Sequence, residues 1–310
     1  MDSEREIRNR IKSIRETRKI TNAMYMISST RLTRAKEQLD VVAPFFWGLQ
    51  NELERIIRHM PDIRHKYFGN TDEYLKRPLP RHVGYFVVTA DKGLTGAFTH
   101  NIMKVADAEI KKAKEKGSQV RLYVVGERGR RYCHSKGYDV SETFDFTTGH
   151  PSRSRSRRIS DYILNRYNES EGRLDEIHVI FTSMDERMSM QVENRQVLPL
   201  QKQKFMGYSE NNVMPEGFSG IINEEFTIMP SPEAVIDSIV PGFIAGMVYG
   251  MLIESACCEQ NSRMVAMKSS TDNADEMLRE LSVEHNRVRQ ESITMQITEV
   301  CAGRSTGMTE

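Results

Sequence analysis

SPEAVIDSIVPGFIAGMVYGMLIESACCEQNSRMVAMKSSTDNADEMLRELSVEHNRVRQESITMQITEVCAG, residues 231–303, reads as one almost unbroken helix. Ser231 is placed to cap it, Pro232 stands at the first helical position, and Glu233 follows near the positive end of the helix dipole. At about 1.5 Å per residue such a helix is about 100 Å long. A compact chain of this size has a radius of gyration of only about 20 Å. The helix is therefore expected to project as a rod, and a rod needs a partner. Pro241 and Gly242 predict a kink, with the straight part starting near Phe243.

Working outward, residues 1–58 carry a second helical pattern: Ile7, Ile11, Ile14, Arg18, Thr21, Met24, Ile27, Leu32, Ala35 and Leu39 recur at intervals of mostly three and four. Pro44 predicts a break near Ala43. Residues 59–81 read as a linker with Pro61, Gly69, Pro78 and Pro80, and residues 209–230 as a second polar connector. Between them, residues 82–208 alternate strand-like and helix-like segments. HVGYFVVTA (82–90), VRLYVVG (120–126) and EIHVIFTSM (176–184) predict strands, with QVENRQVLPL (191–200) as a possible fourth. Segments 101–117, 127–137 and 156–169 predict helices. This alternation argues for a mostly parallel sheet covered on both faces. The expected fold class is α/β, with an antiparallel coiled coil of the N- and C-terminal helices (the latter 231–310) and a Rossmann-like α/β middle domain. The last helix exceeds the first by about fifteen residues, or roughly 20 Å. Its tip, 287–303, would then carry Val288, Ile293, Ile297 and Val300 with no surface of its own chain to cover them.

Composition narrows the function. The 44 basic and 43 acidic residues leave a net charge of +1, so no global charge favours nucleic acid or an anionic membrane. Cys133, Cys257, Cys258 and Cys301 show neither CxxC nor metal spacing and read as small buried residues of a reducing compartment. The charged N-terminus is no signal peptide, and no uninterrupted apolar run of about eighteen residues occurs, so direct membrane insertion is not expected. TADKGLTGAFTHN (89–101) has the context of a phosphate loop, but Gly96 is followed by Ala97 where the phosphate motif needs Lys and Ser or Thr. It reads as a structural turn, as does VGERGRR (125–131). SRSRSRR (152–158) reads as a solvated basic loop feeding a helix. No catalytic constellation emerges, and no metal or cofactor is expected. Two other readings stay open: a nucleotide-binding enzyme using Lys92, Gly93 and Gly96 with a coiled-coil arm, and a nucleic-acid-binding scaffold using Arg153 to Arg158.

SPEAVIDSIVP (231–241) and IESACCEQNSRMVAMKSSTDNADEMLRELSVEHNRVRQESITMQITEV (253–300), the opening REIRNRIKSIRETRKITNAMYMISSTRLTRAKEQL, and the middle segments VGYFVVTADKGLTGAFTHNI and GRLDEIHVIFTSM with QVLPL (196–200) resemble the gamma subunit of rotary F-type ATP synthases of bacterial type. The resemblance covers nearly the whole chain. It implies a non-catalytic central rotor shaft that couples ion-driven rotation of a membrane ring to ATP synthesis or hydrolysis elsewhere in the complex. It further implies alpha and beta subunits of a catalytic ring, an epsilon subunit and the c subunits of the membrane ring as partners, with no nucleic acid. The place implied is peripheral, on the cytoplasmic face of the cell membrane. By motif, Arg289 and Gln290 match a pair that hydrogen-bonds a loop of beta. Thr294 and Glu299 share that tip, and Arg263, Lys268 and Met24 match shaft positions facing the ring. No Cys-bearing regulatory insertion of the chloroplast type is present.

Overall fold

The computed structural model describes residues 2–76, 81–144, 149, 151–169, 172–185, 189–206 and 228–306; the connector at 209–230 lies almost wholly outside them. In chain order the elements are α1 (Asp2–His59), a 3-10 turn (Lys66–Phe68), α2 (Asp72–Leu75), β1 (His82–Val88), α3 (Phe98–Glu115), β2 (Gln119–Val125), α4 (Glu127–Lys136), β3 (Val140–Phe144), α5 (Arg153–Asn168), β4 (Glu176–Met184), β5 (Met190–Leu198), α6 (Lys202–Met206) and α7 (Pro232–Thr306). The chain divides into two compact units, Met1–Thr30 with Arg263–Glu310, and Arg31–Ser262.

In the larger unit the described strands form one five-stranded sheet of order β3-β2-β1-β4-β5. β1 to β4 are parallel and β5 returns antiparallel to β4. β3 was not anticipated. VSETF is short, lies at the sheet edge, and pairs with β2 through a register irregularity, so it carries little alternation of its own. One face of the sheet (Phe86, Val88, Tyr123, Val125, Val179, Phe181) packs on α5 and on Leu53, Ile56, Val240, Ile244 and Leu252 of the two long helices. The other face (Tyr85, Val87, Leu122, Val124, Ile180) packs on α3 and on Cys133 of α4. An 18-residue window of α7 reaches a mean hydropathy of 1.7, and half of it is buried within the chain. The sequence reading found no such run because Asp237, Pro241 and Gly242 interrupt it; its apolar members Ile236, Val240, Phe243 and Ile244 are core.

The long helices depart from expectation at both prolines. α1 runs through Pro44 and α7 through Pro241 without interruption. Tertiary packing outweighs the missing backbone donor: Phe46 stacks on Phe243 at 5.1 Å between ring centroids, close to both prolines. The start of α7 is as anticipated, with Ser231 Oγ accepting from Ala234 N at 3.2 Å and Glu233 in the first turn. The basic run 152–158 is not a loop. Ser152 caps α5 by accepting from Arg155 N at 3.4 Å, and Arg153 to Arg158 form its first two turns. Arginine is a good helix former, and a Ser cap before it is a start signal that the charge run obscured.

In the smaller unit the ends of α1 and α7 pair antiparallel. Contacts advance along one helix as they recede along the other: Glu4 with His285, Arg18 with Asp275, and Thr21 with Thr271. Ile7, Ile11 and Leu281 form its apolar cluster.

Candidate functional site

All seven residues singled out from the sequence fall in the smaller unit. Its seam is narrow. Thr21 and Thr271 meet hydroxyl to hydroxyl at 2.8 Å inside it, and Ser28 and Ala274 are buried. Small residues let the two backbones approach closely and leave larger side chains on the outside. Ile27, a member of the periodic pattern of residues 1–58, is 53% exposed, while Ser28 is 1% exposed. At 3.6 residues per turn the stripe that holds Thr21 reaches 28 and 32, leaving 27 outside it. Met24 is half-buried beside the seam.

The outside of the pair carries apolar side chains that its own helices do not cover: Ile20, Met26, Ile27, Val265, Met277 and Val283. Apart from Ile27 the sequence reading passed over them. The available signal was their phase, one or two positions off the seam stripe. Lys268 projects from the pair and is held by Asp272 at 3.0 Å, which raises its pKa through the hydrogen bond to that carboxylate. Arg263 is half-buried at the start of this segment of α7.

The C-terminal turns of α7 gather the remaining four. Arg289, Gln290, Thr294 and Glu299 are all exposed within three turns of one helix. Thr294 Oγ1 donates to the carbonyl of Gln290 at 2.9 Å, so the threonine's proton is engaged within the helix. The side chains of Arg289 and Gln290 are both solvent-exposed. Ile293, Met295 and Ile297 lie exposed among them, Met295 by 74%. Val288 differs from expectation: it is half-buried against the Ile7, Ile11 and Leu281 cluster, because α1 begins at Asp2 and reaches that turn. The side chain of Val300 lies outside the described residues.

The turns after β1 and β2 answer the phosphate-loop question in another way. At the start of α4, Glu127 N is bound by Asp91 Oδ1 at 3.3 Å, Arg128 N by the Ala90 carbonyl at 2.9 Å, and Gly129 N by Thr89 Oγ1 at 3.0 Å. The donors that would cradle a phosphate at this helix are already used, and a carboxylate stands where an anion would sit. At the start of α3, Phe98 N closes on the carbonyl of Thr95 at 3.1 Å, and Leu94 and Gly96 shape the turn at φ 63° and 53°. Gly96 lies inside that turn, and Lys92 and Gly93 lie in the bend before it, with Lys92 exposed.

A family model described as ATP synthase matches residues 3–306. The ATP synthase gamma chain of Caldanaerobacter subterraneus subsp. tengcongensis is 37% identical over 97% of this chain and 99% of its own length. The chain belongs to the ATP synthase gamma-chain family. The gamma chain of Acetivibrio thermocellus is 36% identical, over 96% of this chain and 97% of its own. Among solved structures, a chain from the central stalk and c-ring of the Tetrahymena thermophila mitochondrial ATP synthase aligns with 81% of this chain and 98% of its own length, with a TM-score of 0.54 and 18% identity. That likeness concerns the fold: an α/β sheet domain with paired helical ends.

Proposed function

We propose that this gamma chain is the central rotor shaft of its ATP synthase and has no catalytic site of its own. The observation that carries the reading is the outer surface of the smaller unit. There Arg289, Gln290, Thr294 and Glu299 stand with uncovered Ile293, Met295 and Ile297 on one stretch of helix. Isolated exposed apolar residues are ordinary; a run of them beside exposed charged and polar side chains fits a surface made to be enclosed. In this reading residues 1–58 and 231–310 form the shaft and 82–208 the middle domain, joined by 59–81 and 209–230.

The enclosing partners are a ring of alpha and beta subunits, while an epsilon subunit and the c subunits of the membrane ring hold the other end. The complex sits peripherally on the cytoplasmic face of the membrane, and the gamma chain itself does not enter the bilayer. Two different helices side by side have no rotational symmetry, so the shaft meets three equivalent catalytic sites with three different faces. Each face favours a different conformer of the site it touches, and rotation moves the preference from site to site. Nucleotide chemistry stays with the ring.

The test uses the complex isolated through a tag on this chain. One copy of it with three copies each of two larger subunits, by native mass spectrometry, is the expected composition. In that complex Arg289→Ala with Gln290→Ala is expected to lower ATP turnover by about tenfold or more, consistent with losing two hydrogen-bonded contacts. Unchanged turnover with the variant fully incorporated would remove the tip from the mechanism.

A further inference from the structure

A cavity of about 660 Å³ opens in the larger unit between α1, α7 and the strand β5. Its volume is in the range that accepts a small organic molecule. The walls are aromatic: Phe46 stacks on Phe243 at 5.1 Å, Phe205 tilts against Phe243 at 5.7 Å, and Trp47 meets Phe46 edge-on at 6.3 Å. Gly246 and Gly250 of α7 line it, one turn apart. Glycine inside a helix destabilises it relative to alanine. At Gly250 a β-carbon would meet no described atom within 4 Å, so the missing side chain leaves open space rather than relieving a clash.

The polar rim is unbalanced. Glu193 is paired with Arg195 at 2.6 Å, and that guanidinium also lies over the Phe181 ring at 5.1 Å. Glu254 faces the cavity and takes the backbone N–H of Met184 at 3.2 Å. Burial pushes the Glu254 carboxyl up, against the Met184 N–H and the field of the Arg195 guanidinium, which favour its charged form. Two carboxylates against one guanidinium leave the lining one negative charge in excess. Aromatic faces beside carboxylates that outnumber the cations of the lining are the recognition chemistry of organic cations. We propose that this cavity is a binding site for a lipophilic organic cation, its charge set between Glu254 and the aromatic wall and its apolar body over Gly246 and Gly250.

Trp47 is the single tryptophan of the chain, so its emission reports on this cavity alone. The experiment titrates the full chain with tetraphenylphosphonium and, separately, with tetraphenylborate, an anion of the same shape. The expected result is a saturable change in Trp47 emission with the cation and binding at least about ten times weaker for the anion. Glu254→Gln keeps the acceptor for Met184 N and should weaken the cation by about tenfold. Gly250→Phe should fill the space and abolish binding while helicity by circular dichroism is retained. Equal affinity for the two ions, or no saturable response, overturns the proposal. So does binding that survives Gly250→Phe. If Gly250→Phe loses helicity, the charge pair of probes and Glu254→Gln still decide it.

Discussion

Thr89 joins three elements through one buried hydroxyl: Oγ1 donates to the carbonyl of Val125 at 3.0 Å and accepts from Gly129 N at 3.0 Å. This explains the glycines of VGERGRR, which the sequence offered only as a generic turn. A β-carbon on Gly126 would stand 2.3 Å from the Thr89 carbonyl oxygen, and one on Gly129 2.5 Å from its hydroxyl. Thr89→Val, which keeps the shape, should therefore cost about 2 kcal/mol by leaving Gly129 N unpaired, measured by urea denaturation. A loss under about 0.5 kcal/mol would show that the hydroxyl does not anchor α4. His65 gives a pH-dependent case. Its Nδ1 accepts from Tyr67 N at 3.3 Å, so the proton sits on Nε2, 3.5 Å from Asp237 Oδ1. Burial lowers its pKa from 6.5, and the opposing pull of Asp237 is smaller. A lowered histidine pKa means that the unfolded chain takes up the proton first. Stability is then full above about pH 6.5 and declines as pH falls below it, until the folded pKa is reached. His65→Asn offers an acceptor in place of Nδ1 and does not titrate. Its melting temperature should fall less than that of the parent between pH 7.5 and 5.0; identical slopes would remove His65 from the acid response.

At the scale of elements, the two prolines set propensity against packing. Pro44 is exposed on α1, and the residue four before it, Asp40, is exposed too. With the ring at the surface, Pro44→Ala should stabilise the chain by about 1–3 kcal/mol through the restored N–H and helix propensity, read from the denaturation midpoint. Destabilisation would mean that α1 needs a distortion at that turn. In the smaller unit, Ile7, Ile11 and Leu281 supply the apolar grip of the paired ends. Leu281→Ala is expected to cost about 2 kcal/mol and to raise amide exchange over residues 4–14, while exchange in the sheet stays unchanged. These helices were legible as helices because their periodicity is local. β3 was not, because five residues at an edge derive their structure from β2.

For the molecule as a whole, the uncovered apolar residues bear on handling as well as function. Met295 and Ile297 are 74% and 60% exposed on the last turns of α7. The isolated chain should self-associate through them, and Met295→Ser with Ile297→Ser should raise the monomer fraction by light scattering without altering helicity. Association that persists unchanged would move the sticky surface elsewhere.

What the sequence determined alone was what local pattern and long specific motifs can hold: two long terminal helices, a capped start at Ser231, strands alternating with helices between them, and membership of the gamma-chain family. The tertiary structure decided the rest. Ser28 rather than Ile27 enters the seam, Val288 finds cover on α1, and Pro44 and Pro241 are carried through intact helices. The donors at the head of α4 go to Thr89, Ala90 and Asp91, and a cavity stays open beside Gly250. The physical reason is common to all of these. Each is fixed by residues tens to hundreds of positions apart in the chain, and periodicity records only which residues share a face, not what that face will meet.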